Sequence, residues 1–510
     1  MNAAAFLLPP ARLAALHAAE LARHGERFAA SVAACRANAA HYLLGAPLHW
    51  MADWPAPLAV ERAEGARLVT VDGVELIDFC LGDTAAMFGH SPPALVAALA
   101  REAERGLSAM LPGAEAAATG AALEAAFGMP VWQFAATASD ANRFLLRWAR
   151  AVTGRQAIVV MDGCYHGTVD ETLVDMADDA SPATQPGGGA TAAPPPGLGA
   201  DGRPRAVRRP SILGPAWDAS ATTRVVPFND LAALDAALAD GQVAALLAEP
   251  ALTNCGLVLP EPGYWREAAA LARRHGTLLL IDETHTLSAG PGGWARSAPA
   301  RAEGVAPDAV VIGKAIAGGM PCAVTGVTAE LAARMTAAKR AAPPGHSGIG
   351  TTLAGSRLAV ALVGSMLREV MTPAAWEAMD ARAAEATAGI AAAIARHRLP
   401  WCVSRLGARL EFQFRPEPPR DAAGARAAMD DALEAFVHLA LLNRGIVITP
   451  FHNMLLCSPA TSAADVAALV AAFDEVCALI AGAADGGAQA LAGAAGAGDG
   501  VSPGAVGVRA

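Results

Sequence analysis

The chain has 510 residues, 54% of them apolar, and a formal net charge of −10. It is too long for one compact core and too apolar for a disordered chain. The acidic balance, with no basic stripe, argues against nucleic acid as a partner. The apolar excess is mostly alanine, and no run of about 18 uninterrupted apolar residues occurs, so no membrane span is expected. The first ten residues lack the basic start and long apolar stretch of a signal peptide. Eight cysteines are scattered without a Cys-x-x-Cys pair. They fit the reduced thiols of a cytoplasmic protein, and no metal site is expected.

Residues 11–45 read as helix, rich in Ala and Leu. The stretch Arg67 to Asp78 alternates around Asp72-Gly73, the signature of a tight β-hairpin. Gly89-His90-Ser91-Pro92 is a turn that opens a helix through about 106. From 130 to 327 short apolar strands alternate with helices: 157–161, 243–248, 277–281, 309–312 and 322–327 are the strands, with helices such as 229–240 and 264–275 between them. That pattern indicates an α/β fold with a mostly parallel sheet covered on both faces. Residues 180–210 are crowded with Pro, Gly and Ala and read as a mobile surface insertion. Residues 370–480 read as helices with short strands near 407–414 and 444–449. The Gly/Ala-rich stretch 483–510 reads as a disordered tail. The expected division is an N-terminal segment 1–95, a large domain 96–365, a smaller C-terminal domain 366–482 and the tail.

Of 38 basic residues only two are lysines, Lys314 and Lys339. A position that keeps lysine against such a bias invites a chemical explanation, because arginine cannot form an imine. Lys339 lies on a surface-like helix beside Arg340 and reads as a solvated charge. Lys314 follows a strand directly. Ligands of a parallel sheet bind beyond the carboxyl ends of its strands. There the chain places Tyr165 in Gly163-Cys164-Tyr165-His166-Gly167, then Glu249, then Asp282-Glu283-Thr284-His285-Thr286, then Gly313-Lys314. Any one of these is an ordinary cap or loop residue. Together they suit an aldehyde cofactor held as a lysine imine, with an acid opposite its ring nitrogen and an aromatic stacked on it. Thr137-Ala138-Ser139, at the start of a helix expected over 140–152, offers backbone N–H groups to a phosphate.

These residues resemble the class III, or subgroup II, aminotransferases of the pyridoxal 5′-phosphate (PLP) fold-type I superfamily. The likeness is greatest to the glutamate-1-semialdehyde aminomutase and β-amino-acid aminotransferase branch, and it runs from Ala66 to Asp474. The family's Asp-Glu-x-x-Thr segment is matched by Asp282 to Thr286, with Lys314 following Asp282 by 32 residues. Thr351-Thr352-Leu353-Ala354-Gly355 resembles its Gly-Thr-Leu-Ser-Gly segment, whereas Thr137 to Ala141 matches its phosphate turn only loosely.

The resemblance implies a large PLP-binding domain, its mostly parallel sheet sandwiched by helices, with a smaller α+β C-terminal domain. It implies Lys314 as imine former and proton shuttle, and Asp282 as partner of the pyridine nitrogen. Tyr165 would stack on the ring, Glu249 lie near it, and Ala138 and Ser139 bind phosphate. Thr284 would stand beneath the ring where the family has valine, and as a polar residue it needs a hydrogen-bond partner. Thr352 would reach the phosphate of the neighbouring subunit in a homodimer with shared sites. The expected activity is amino transfer between an amine or amino acid, including β-amino acids, and a keto acid. An aminomutase or racemase is the alternative, and a non-catalytic PLP-fold protein is a third reading. The usual arginines for a substrate carboxylate are missing: the Leu48-His49-Trp50-Met51 segment has His49 and Trp50 instead. Arg409 is the substitute candidate for that role, with a salt-bridged surface residue as its bland reading.

Overall fold

A computed structural model of the chain describes residues 8–48, 51, 56–176, 206–209 and 219–495. The central sheet has seven strands in the order Val131–Ala135, Ala323–Val327, Ala309–Ile312, Leu278–Asp282, Val243–Ala248, Ala157–Met161, Thr223–Val226. The last five of these pair in parallel. Ala323–Val327 runs antiparallel to both of its neighbours. Every residue of Val243–Ala248, Leu278–Asp282 and Ala309–Ile312 is buried. That burial on both faces is why these strands are continuous apolar runs rather than alternating ones. Helices Ala138–Thr153, Leu231–Leu238 and Tyr264–Arg274 lie between strands in the chain, as the pattern predicts. The parallel alignment brings the residues after Met161, Ala248, Asp282 and Ile312 to one edge.

The expected hairpin forms, with Arg67 opposite Ile77 and Val69 opposite Glu75. Its second strand, Glu75–Asp78, also pairs with Ile446–Val447 from the far end of the chain. A second hydrophobic core gathers Leu13, Phe79, Phe412, Phe436 and Phe473. It packs against a three-stranded sheet of Cys402–Leu406, Arg409–Gln413 and Met454–Leu456. Leu410 and Phe412 enter that core. Strand alternation therefore turns Arg409, Glu411 and Gln413 to the opposite face. All three are nonetheless buried.

Several expectations are corrected. The helix expected over 11–45 is two helices, Pro10–Arg27 and Ala29–Asn38. They break at Phe28, which is buried in a small core with Leu76 and Leu439. The insertion expected over 180–210 lies mostly outside the described residues. Its end is patterned, however: Ala206–Arg208 pairs antiparallel with Val174–Met176. The tail expected from 483 is helical as far as Ala495. Alanine is the strongest helix former, and it outweighs the glycines there. Residues 496–510 lie outside the described residues. Within that last helix, Ala463–Ala484 is long and apolar enough to cross a membrane by composition. It carries Asp465, Asp474 and Glu475. It packs on helix Pro373–Arg396 and sends Leu469, Phe473, Val476 and Ile480 into the core.

Candidate active site

Asp282 ends its strand and is 3% exposed. Oδ2 accepts hydrogen bonds from Asn142 Nδ2 at 2.8 Å and His166 Nδ1 at 3.0 Å. Oδ1 accepts from the Thr284 N–H at 3.0 Å. Burial works against the charge, but the hydrogen bond and charge of His166 outweigh it, and Asp282 stays below the usual carboxylate range. Burial likewise opposes a charged His166. Cys164 and Asp282 override that, raising His166 well above its ordinary value. The result is a buried, ionised acid, and its Oδ1 keeps acceptor capacity for one further donor.

Lys314 follows Ala309–Ile312 in a left-handed conformation, φ 47°. Its Nζ donates to Asp83 Oδ2 and lies 2.9 Å from His285 Nε2. On the other side of that imidazole, Arg409 NH2 lies 3.1 Å from Nδ1 and donates to Thr84 Oγ1 at 2.7 Å. Arg409 is fully buried, which overturns its surface reading. Its Nε and NH1 have no partner among the described residues. Burial opposes the Asp83 charge, but Lys314, His285 and Arg409 hold its carboxyl well below the usual range.

Helix Ala138–Thr153 opens toward the same edge. Thr137, rather than Ser139, caps it, accepting from the Asp140 N–H at 3.1 Å. The Ala138 and Ser139 N–H groups lie in the first turn, ahead of the intrahelical ladder. Ser139 Oγ accepts from the Thr168 N–H at 3.0 Å. A Cβ at Gly167 would stand 2.0 Å from that oxygen, and one at Gly313 would stand 2.8 Å from the Ala138 Cβ. Glycine at both positions lets two strand-end loops close on the helix start. Tyr165 is half-buried, and its N–H donates to Glu249 Oε1 at 3.1 Å. Burial and the Asp83 charge push its phenol up. Glu249 Oε2 accepts from the Thr253 hydroxyl at 2.5 Å, and burial pushes its carboxyl up. Thr284 is buried, and its Oγ1 has no partner among the described residues.

The structure thus brings together Lys314, Asp282, Glu249, Tyr165, Thr284, Ala138, Ser139 and Arg409. It does not bring in Thr352, which stands exposed in a turn after Gly350. His49 and Trp50 lie outside the described residues. Lys339 is on the exposed face of helix Ala329–Ala341, as expected. Sequence reasoning missed Asp83 and Thr84 and gave neither His166 nor His285 a role. The polar pair Asp83-Thr84, set between apolar Leu81 and Met87, was the available signal for the first two.

A family model described as aminotransferase class-III matches residues 51–476. The chain belongs to this family. It is 32% identical over 434 residues to a glutamate-1-semialdehyde 2,1-aminomutase of Sorangium cellulosum, covering 83% of this chain and 89% of that one. Among solved structures it is similar to a glutamate-1-semialdehyde aminomutase from Pseudomonas aeruginosa PAO1. That likeness has 42% identity, a TM-score of 0.84, and coverage of 93% of this chain and 99% of that one. A lysine-to-alanine variant of the same enzyme, in complex with PMP, matches equally. An ω-transaminase from Sphaerobacter thermophilus is 25% identical with a TM-score of 0.76, over 88% of this chain and 98% of its own. The fold is PLP fold type I, and the enzyme is a PLP-dependent member of class III. The residues present fit that cofactor. Asp282 is ionised with acceptor capacity to spare, Thr284 Oγ1 is unpartnered, the first helical turn is open, and a lysine stands at the strand end.

Proposed function

We propose that the enzyme moves an amino group between adjacent carbons of one small substrate, in the manner of a 2,1-aminomutase. The observation that carries this reading is Lys314 Nζ at the sheet edge, within hydrogen-bond reach of one acid and one imidazole. One nitrogen so placed can remove a proton at one carbon and return it at its neighbour. The similarity to aminomutases over most of the chain supports a reaction within one substrate. PLP bound at Lys314 supplies an aldehyde that condenses with amines and a ring that accepts electrons. Asp282, kept charged by His166 and Asn142, would hold a proton on the ring nitrogen. Tyr165 would cover one face of the ring and Thr284 donate from the other side. The first turn from Ala138 and Ser139 would take the phosphate. Thr352, exposed in the single chain, would complete the phosphate site of a second copy in a homodimer. Eight free cysteines fit a cytoplasmic location.

One observation favours a second reading, transfer from an amine or β-amino acid to a keto acid. The Asp83 carboxylate touches Lys314 Nζ, and a substrate carboxylate on the carbon bearing the amine would meet it as a like charge. A single experiment separates the two. The enzyme receives glutamate-1-semialdehyde alone, and the amino position is followed by NMR; in parallel it receives an aromatic β-amino acid or its decarboxylated amine with pyruvate or 2-oxoglutarate. Migration without any acceptor is the expected result. Turnover only when a keto acid is present would replace this reading with the second.

A further inference from the structure

Lys314 Nζ has two neighbours of opposite demand. Asp83 is a carboxylate and only accepts. What His285 Nε2 presents, 2.9 Å away, is decided at the other ring nitrogen. Arg409 NH2 carries two hydrogens and no acceptor. Its two near neighbours are Thr84 Oγ1 at 2.7 Å and His285 Nδ1 at 3.1 Å. The Thr84 hydroxyl, 3.4 Å from Nδ1, can donate to it or accept from it, whereas the nearer guanidinium can only donate. Nδ1 is thereby favoured as the acceptor, which puts the proton of a neutral imidazole on Nε2, facing Lys314. Burial, with the charges of Lys314 and Arg409, keeps His285 from taking a second proton. An Nε2–H is satisfied by the lone pair of an amine and opposed by an ammonium, which has none.

The geometry points to Arg409 and His285 as positioning residues that, set against Asp83, fix how readily the Lys314 nitrogen holds a proton. Asp83 favours the charged nitrogen, and the Arg409-locked imidazole favours the neutral one. A group that takes and returns a proton in each turnover works best when neither form is strongly preferred. Around them, Asp282 acts on His285 through charge, Glu249, Glu411 and Cys80 act on Arg409, and Asp83 itself acts on Tyr165. The backbone agrees with a functional role for this turn. Leu81, Gly82, Asp83 and Thr84 are all left-handed, with φ of 48°, 59°, 50° and 79°. Non-glycine residues persist in such conformations where surrounding structure imposes them, and they cluster at functional sites. Asp78 Oδ1 braces the turn by accepting from the Cys80 and Leu81 N–H groups at 2.8 and 2.9 Å. Arg409 arrives from the small three-stranded sheet, so the position of that sheet is coupled to the lysine.

The inference rests on Lys314 as the cofactor-bearing residue. Its test is the visible absorbance of the holoenzyme followed against pH, in wild type, Asp83→Asn and Arg409→Met. Borohydride labelling of each protein is mapped alongside. The midpoint is expected to fall by about 1–3 units in Asp83→Asn, the range for losing an opposite charge at contact. It is expected to rise by about one unit in Arg409→Met, where the imidazole can turn and accept. His285→Phe, which removes the donor itself, supplies the same rise should Arg409→Met not retain the cofactor. Midpoints that move in the same direction, or by less than about 0.3 unit, overturn the inference. A label recovered away from Lys314 overturns the reading beneath it instead.

Discussion

Replacing Asp282 by Asn removes the buried charge that His166 answers. The asparagine oxygen can still accept from the Thr284 N–H. Its amide nitrogen then faces two donors, Asn142 Nδ2 and a protonated His166. Breaking one side of a buried ion pair costs about 3–5 kcal/mol. The cost depends on pH in a direction that follows from both partners. Asp282 has a lowered pKa, so its contribution is present above its unfolded value of 3.8 and is lost as pH falls through the folded value. His166 has a raised pKa, so its contribution is complete below 6.5 and is lost as pH rises through the folded value. The penalty of Asp282→Asn is therefore largest near pH 5–6 and shrinks in alkali, where a neutral His166 Nδ1 accepts from the new amide. For a chain of this length the unfolding entropy is about 1 kcal/mol per degree, so the thermal midpoint should drop by about 3–5 °C near pH 5.5. The assay is differential scanning calorimetry of both proteins at pH 5.5 and 8.5. An equal drop at the two pH values, or none at 5.5, would refute the reasoning. The same variant should retain PLP yet turn over at least about 100-fold more slowly, the scale of losing one preorganised electrostatic partner.

Glu283 accepts from the Thr286 hydroxyl at 2.5 Å and from the Trp294 N–H at 3.0 Å, and burial raises its carboxyl from 4.5 to about 7. A raised pKa stabilises below the unfolded value and fades as pH rises through the folded one, so this carboxyl weakens the fold between about pH 4.5 and 7; Glu283→Gln should flatten that part of the melting-temperature profile, and an unchanged slope would count against it. Gly167→Ala places a Cβ 2.0 Å from Ser139 Oγ at a φ of +81°, and should lower both the thermal midpoint and cofactor retention; a variant as stable as wild type would mean the helix start yields freely. Thr352→Ala should weaken PLP retention by about 10–100-fold, the equivalent of one charge-assisted hydrogen bond, without altering dimerisation. A fully active monomer in solution would remove the basis of that expectation.

The parts of the site that were legible in the sequence sit where one strand ends. Lys314 stood out because only two lysines survive in an arginine-rich chain, and Asp282 because its strand is a clean apolar run. The first turn at Ala138 was legible from a polar start before a helical pattern. Asp83 and Arg409 were not, because their partners are remote: 231 residues separate Asp83 from Lys314, and 124 separate His285 from Arg409. Alternation along Arg409–Gln413 says that Arg409 opposes Leu410 and Phe412. It does not say that both faces are buried, which depends on the large sheet's edge lying against the second. His285 was missed for a related reason, since a lone histidine shows its role only through what meets both ring nitrogens. At the chain's end, composition misled: Gly/Ala-rich sequence reads as disorder, yet alanine carries the helix to Ala495.

The most direct test of the central claim is to reduce the purified holoenzyme with borohydride and map the modified peptide by mass spectrometry. The expected result is loss of the visible absorbance with the pyridoxyl label on Lys314 alone, and no such label in Lys314→Ala. Label recovered on Lys339, or visible absorbance that survives unchanged in Lys314→Ala, would contradict it.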